Sequence, residues 1–326
     1  MQPGDISALV LGTAGCAAAR VPDAPRLSAA SAAALREIRA VDERGTARSL
    51  HLPIERPLTI AVDGHEFVTL MTLGAAPEWL VLGYLRNQRF IDDVAALQSI
   101  EVDWAKNIAR VTSRQERLDE SVKAAAQGAA GTAAPLGCAL GTGFGDVMRH
   151  LDAGAAKVSP DAAAAGGMVG GAAAVGTVGR PQMPSISHAE ILAILECMHR
   201  HDAVHRAAGS VHSCALFQGG ELLAAVEDVS RHNGIDTITG FMALHGMHGA
   251  DKTLFTTGRL TGEMVMKAAH NGIPVMISRN GTTAMGYELA AKLGMTLIGR
   301  AANRRYMCYI GAGRIGRAAH VVPPGD

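Results

Sequence analysis

Residues Glu227 to Asn233 gather two carboxylates, a guanidinium, an imidazole and a carboxamide at the end of an apolar stretch. Such a concentration can move protons or hold charge in a cleft. A solvated loop with Asn233 as a helix N-cap accounts for Asn233 alone. It leaves Asp228, Arg231 and His232 as candidate cleft-lining residues, and Asp236 can face the same cleft. His212, within Gly209 to Cys214, lies just before the strand expected to pair with this stretch. It joins the cleft candidates, although a lone histidine also serves as a structural residue.

Thr257-Gly258-Arg259 and Ser278-Arg279-Asn280-Gly281-Thr282 each join a short apolar strand pattern to a helical one. At such turns backbone N–H groups and the positive helix end converge, and glycine lets a phosphate approach the chain. Ligands of open α/β sheets gather at the carboxyl ends of strands. Two readings stand: ordinary tight loops, or a cradle for a phosphate-bearing ligand. Neither loop matches a Walker A or GxGxxG pattern.

The five cysteines, at 16, 138, 197, 214 and 308, are odd in number and far apart, and no CxxC occurs. That fits free thiols in a reducing cytoplasm rather than a disulfide framework. Cys197, Cys214 and Cys308 fall on expected helix or strand, where a buried thiol is inert. Cys138, flanked by glycine and other small residues, has the reach needed to receive a sulfur atom and hand it on; a passive linker cysteine is the alternative. His201 and His205 stand four apart without further metal ligands. His188-Ala189-Glu190 imitates half of a zinc deaminase motif, yet no Pro-Cys-x-x-Cys follows. No metal site is assigned, and deamination is rejected.

These residues need elements to hold them. Leu58–Val62 and Glu66–Met71 alternate around Asp63-Gly64 as a hairpin, Pro77–Asn87 reads as a helix, and Ile100–Val102 with Ile108–Thr112 as a strand pair. A helix is also expected around Ala29 to Arg39. Ser187-His188-Ala189-Glu190 is a capping box followed by helical apolar spacing. A hairpin turning at Gly219-Gly220 comes next, then a helix over 235–244. Strands alternate with helices from Thr253 to Ile310. The fold class is α/β: a three-layer mixed sheet with parallel pairs, preceded by a smaller α+β unit.

The expected organisation is a disordered leader over 1–50, the small unit over 51–120, an Ala/Gly-rich flexible segment over 121–184, the ligand-binding α/β domain over 185–315, and a tail over 316–326. Ala and Gly fill more than half of Ser121 to Gly179, a composition that buries little. A short helix over Phe144 to Leu151 is possible there.

Among 326 residues, Lys+Arg 30 balances Asp+Glu 30, so no global charge draws the chain to nucleic acid or anionic lipid. Aromatic content of 4% argues against stacking platforms for single strands. No apolar run is long enough to span a bilayer. The apolar stretch Ile6 to Ala19 lacks the preceding basic residues of a signal peptide.

Glu55 to Ile60, Gly209 to His212, Glu227 to Asn233, Gly258 to Met264 and Gly272 to Thr283 occur in order, and together they resemble the FdhD family. The resemblance covers about Ile54 to Ile310 apart from the Ala/Gly-rich insertion. It implies a sulfurtransferase that accompanies formate dehydrogenase maturation. Such a protein accepts sulfur from a cysteine desulfurase as a persulfide and passes it to molybdenum held by two molybdopterin guanine dinucleotides, a client rather than a turnover cofactor. It further implies a homodimer with a fold similar to cytidine deaminases without their zinc, and a formate dehydrogenase catalytic subunit as partner. Cys138 matches the persulfide cysteine region. Ile277, Ser278, Arg279, Asn280, Gly281 and Thr282 match the stretch that contacts the guanine dinucleotide. Gly258, Arg259 and Glu263 belong to a second motif counted with the cofactor site, and Arg305 with Tyr309 match a terminal element. The chain departs from the pattern at Gly141, where many members have the second cysteine of CxxC, and at Ser230, Thr237 and Ala302. A chaperone that holds the cofactor without transferring sulfur is the alternative, and an enzyme acting on a free nucleotide a third reading.

Overall fold

The computed structural model describes residues 9–11, 20–114 and 186–316. Cys16, Cys138, the expected helix at Phe144 to Leu151 and the whole of the Ala/Gly-rich segment lie outside them.

The first elements are β1 (Leu9–Leu11), β2 (Arg26–Leu27), β3 (Leu35–Val41) and β4 (Ala47–Pro53). They differ from the expected disordered leader and from the expected helix over 29–39. β3 and β4 form an antiparallel ribbon whose turn is closed by Asp42, which accepts from the Arg44 and Thr46 amides. β2 joins the next sheet, built from β5 (Arg56–Val62), β6 (His65–Thr72), β7 (Leu97–Asp103) and β8 (Ile108–Ser113) in the order β2-β7-β8-β5-β6. Helix α1 (Pro77–Asn87) starts with proline in its first turn, where a missing N–H costs nothing. It packs over this sheet around Leu58, Ile60, Leu82, Leu85 and Ile100.

After the segment outside the description come β9 (Ile186–Ser187), α2 (His188–His201), α3 (Ala203–Ala208), β10 (His212–Gln218) and β11 (Glu221–Asp228). The capping box at α2 is present in full: Ser187 Oγ accepts from the Glu190 amide and Glu190 Oε2 from the Ser187 amide. Gly219 and Gly220, at φ 54° and 83°, supply the left-handed turn that joins β10 to β11. The remaining elements are α4 (Arg231–Leu244), β12 (Lys252–Thr256), α5 (Gly262–His270), β13 (Val275–Ser278), α6 (Ala284–Lys292), β14 (Thr296–Ala302), β15 (Arg305–Ile310) and β16 (Ile315–Gly316), which pairs with β9.

The main sheet runs β1-β11-β10-β12-β13-β14-β15, parallel only at β12-β13-β14. Alternate residues bury both its faces. Leu216, Leu254, Met276 and Leu297 pack under α4, α5 and α6, whereas Phe217, Phe255, Ile277 and Ile298 pack under α2. This is the mixed three-layer α/β arrangement expected. Helix α4 is buried over nearly its whole length, because α1 of the small unit covers its outer side. The crossing depends on two glycines. A Cβ at Gly83 would lie 1.7 Å from the Asp236 carbonyl oxygen, and one at Gly240 would lie 2.0 Å from that of Trp79.

Candidate functional site

β10 runs antiparallel to β11 and β12, so His212 at its start shares an edge with the carboxyl ends of β11, β12 and β13. His212, Asp228, Arg231, His232 and the loops after β12 and β13 therefore meet at one edge of the sheet. The structure divides them into residues that face the cleft and residues that hold it together.

Asp228 belongs to the second group and does not line the cleft. It is 2% exposed, and four donors converge on its carboxylate. Oδ2 accepts from Thr72 Oγ1 (2.5 Å) and the Leu73 amide (3.1 Å); Oδ1 accepts from the Ser230 amide (3.1 Å) and Asn233 Nδ2 (2.8 Å). Burial pushes its pKa up to about 6, against the pull of those donors. Glu227 is also structural: its oxygens accept from the Val204 and His205 amides, capping α3, and burial raises its pKa.

His232 is buried, with Nδ1 3.3 Å from Glu263 Oε1. Glu263 Oε1 also lies 3.4 Å from Lys267 Nζ, which is 2.9 Å from Asp236 Oδ2. Asp236 Oδ1 accepts from Asn87 Nδ2, carrying the chain of contacts into α1. Burial alone would lower the Lys267 pKa, but Asp236 and Glu263 hold it above its ordinary value. Burial opposes ionisation of Glu263, yet His232 and Lys267 keep its pKa below the usual range. Asp236 thus faces this buried network rather than the cleft. Sequence reasoning missed Lys267, because a lysine inside an amphipathic helix ordinarily faces water.

His212 is half-buried, and its pKa is lowered first by burial and then by Arg231, His205, His232 and Arg259. Arg231 lies against Gly258, where a Cβ would sit 2.7 Å from its own Cβ. Arg259 is exposed at the rim.

The two loops are stitched to each other. Thr256 Oγ1 accepts from the Gly258 amide, Ser278 Oγ donates to the Gly258 carbonyl and accepts from the Asn280 amide, and Asn280 Nδ2 donates to the Thr257 carbonyl. The Arg279 amide bonds the Thr256 carbonyl, and Thr282 Oγ1 bonds that of Leu260. The amides of Gly258, Arg279 and Asn280 thus serve the loops and are not spare donors for a phosphate. Gly281 packs beside the Tyr309 hydroxyl. Ile277 faces the core beneath α2 and contacts no cleft.

Arg279 turns toward α2. Its guanidinium lies 2.5 Å from the buried Asp202 and stacks over Phe255 at 5.7 Å. There it borders a cavity of about 560 Å³, walled by Leu192, Leu195, Glu196 and His199 of α2 and by Ala301 and Arg304. No motif in the sequence marks this cavity, although the α2 positions recur at i, i+3, i+4 and i+7 and so share one helix face. Arg304 and Asn303 have φ of 62° and 51°, forming the left-handed turn between β14 and β15 at the cavity rim.

Among the described residues no three His, Cys, Asp or Glu side chains are grouped to hold a metal ion. No described helix is long and apolar enough to cross a membrane. Cys214 is fully buried with its thiol pKa raised, and burial also raises that of Cys197.

The model of the FdhD/NarQ family matches residues 53–316, well over half of the chain. A relative from Bacillus licheniformis, named Sulfur carrier protein FdhD, is 26% identical over 78% of this chain and 86% of its own. One of the same name from Bacillus subtilis is 28% identical over 80% and 88%. A solved structure from Desulfotalea psychrophila, provisionally described as a formate dehydrogenase accessory protein, superposes with a TM-score of 0.59. It covers 86% of this chain and 98% of its own at 22% identity, a likeness of fold.

Proposed function

Because the chain belongs to the FdhD/NarQ family, we propose that it is a sulfur carrier serving the maturation of formate dehydrogenase. The single observation that carries this reading is the match of residues 53–316 to that family, together with relatives named as sulfur carriers.

In the proposed relay a cysteine desulfurase presents a persulfide, and the Cys138 thiolate attacks its outer sulfur. A new S–S bond forms at Cys138, the old one breaks, and the desulfurase cysteine leaves as a thiolate. The outer sulfur is then delivered to a molybdenum cofactor carried by two molybdopterin guanine dinucleotides, which is the cargo. With Gly141 where a second cysteine would stand, the chain cannot close a resolving disulfide at this loop. Release must come from attack on the outer sulfur itself, which breaks the S–S bond and expels Cys138 as a thiolate.

The cavity beneath α2 supports the cargo part of this reading. Arg304 brings a cation to its edge and Arg279, its charge paired with Asp202, a flat guanidinium, a setting suited to a flat-sided group. A cytoplasmic homodimer belongs to the same proposal.

A second reading is that the chain only holds the cofactor, with the described walls of the cavity supplying the contacts. Maturation of formate dehydrogenase in a strain whose sole copy carries Cys138→Ser separates the two. The carrier reading expects loss of active formate dehydrogenase; unchanged activity supports the holding role and overturns the relay.

A further inference from the structure

The ribbon of β3 and β4 serves neither the cleft nor the cavity, and residues 35–52 lie ahead of the family match, which begins at residue 53. Among the described residues its only strand pairing is its own, β3 with β4. An isolated two-stranded ribbon is marginal in water, and an open edge invites another strand. This one also leaves apolar side chains uncovered: Val41 is 68% exposed, Leu50 46% and Leu52 44%.

The hydrogen-bond phase of the ribbon tells which backbone groups are open. The Asp42 amide donates to the Thr46 carbonyl, and the Ile54 amide to that of Ala34. Bonded and non-bonded pairs alternate along an antiparallel ladder, so Arg36, Ile38 and Ala40 turn their N–H and C=O groups toward β4. Leu35, Glu37, Arg39 and Val41 turn theirs outward, to an edge that no described strand covers. The other edge is less suitable: α3 packs beside β4, and Pro53 has no N–H to give.

The residue order of β3, Leu-Arg-Glu-Ile-Arg-Ala-Val, is self-complementary. Set antiparallel to itself about a two-fold axis at Ile38, it opposes Glu37 to Arg39, Leu35 to Val41 and Arg36 to Ala40, each twice. Keeping the faces of the sheet matched allows the axis to move only from one residue to the next. An axis at Arg36, Glu37 or Arg39 sets that charge against its own copy, which is destabilising, and one at Ala40 pairs only the end of the strand. Charge therefore selects Ile38, where all seven residues are paired and the outward backbone groups meet as hydrogen-bonded pairs. Ile38 then lies beside Ile38 of the second copy. Leu50, opposite Ile38 within the ribbon, extends that apolar row on both sides.

We propose that β3 is a self-recognition strand: two copies of this chain join β3 to β3 about Ile38, making a four-stranded sheet in the order β4-β3-β3-β4. The proposal goes beyond the reading above by naming a surface outside the family match, and it does not depend on the sulfur relay.

The test uses the full chain. Ile38→Cys is treated with oxidised glutathione and run on a non-reducing gel beside the unaltered chain and Ala40→Cys. Opposed residues of a non-bonded antiparallel pair have Cα atoms about 4.5 Å apart, within reach of a disulfide. Position 40 and its symmetry mate would be offset by roughly 14 Å along the strands. The expected result is a reducible dimer band for Ile38→Cys, well above both controls. Sedimentation over a dilution series then follows two charge swaps at exposed positions. Glu37→Arg alone and Arg39→Glu alone each set like charges opposite at two places, and each weakens association roughly tenfold. The double swap restores opposite charges and the affinity of the unaltered chain. No excess of dimer from Ile38→Cys, single swaps that associate unchanged, or a double swap no better than the singles overturns the proposal. So does an Ile38→Cys disulfide closed within one chain, which would assign the edge to another segment of this chain, or a monomer at every concentration, which would leave it to a different protein. Cys138→Ser should associate as the unaltered chain does, so a failed relay and a failed interface are told apart.

Discussion

The Asn233 carboxamide nitrogen lies 2.8 Å from Asp228 Oδ1 and 2.7 Å from the Met71 carbonyl oxygen. Through this pair the end of β11, the first turn of α4 and the last residues of β6 are fastened at one point. The small unit thereby fixes the edge where the cleft residues stand.

Asp228→Asn is expected to destabilise the chain, since an amide offers one acceptor oxygen to a site where four donors converge. The pH dependence has a definite sign. The folded pKa of about 6 lies above the ordinary 3.8, so the folded state binds this proton more tightly. The associated stability is full below the unfolded value and lost as pH rises through the folded one, by roughly 3 kcal/mol. Denaturant titrations at a series of pH values should show this loss, and Asp228→Asn should lack it.

Gly83→Ala is expected to push α1 off α4, because the added methyl would meet the Asp236 carbonyl rather than a movable side chain. A loss of about 3 kcal/mol or more is expected, large for one methyl group. Thermal unfolding measures it. Gly209→Ala is the comparison: it meets no atom within 4 Å, so only the strain of its φ of 79° remains.

Lys267→Met removes the cation shared by Asp236 and Glu263 and leaves a buried carboxylate unpaired. The expected cost is about 3–5 kcal/mol at neutral pH. Without Lys267, burial keeps the Asp236 pKa high, so part of the loss should return as the pH is lowered and the carboxyl gains its proton. Denaturant titration at two pH values checks both.

Arg279→Ala leaves Asp202 buried without its cation and is expected to lower the melting temperature. Arg279→Lys keeps the charge but loses the flat contact with Phe255, and should fall between the two.

Much of this fold was legible because its signals are local. Asp63-Gly64 marks the β5–β6 turn, Pro77 begins α1, and Ser187 with Glu190 boxes α2. The ribbon of β3 and β4 was not legible: much of it faces solvent, so it lacks the alternation that marks a half-buried strand. The turn at Asp42 to Thr46 was the available signal. His212, Arg231, His232 and the two loops share one edge of the sheet, a placement that follows from the strand order. Sequence could not show that Glu227 and Asp228 are ties, because the partner Thr72 is 156 residues from Asp228. Nor could it place Arg279, whose direction is set by Asp202 on another element.

The central claim is that this chain carries sulfur on Cys138. Incubation of the purified chain with a cysteine desulfurase and L-cysteine, followed by peptide mass spectrometry without reductant, tests it directly. The account predicts added sulfur on the peptide containing Cys138 and none on those containing Cys197, Cys214 or Cys308. Rapid desulfurase turnover with Cys138 unmodified would contradict it.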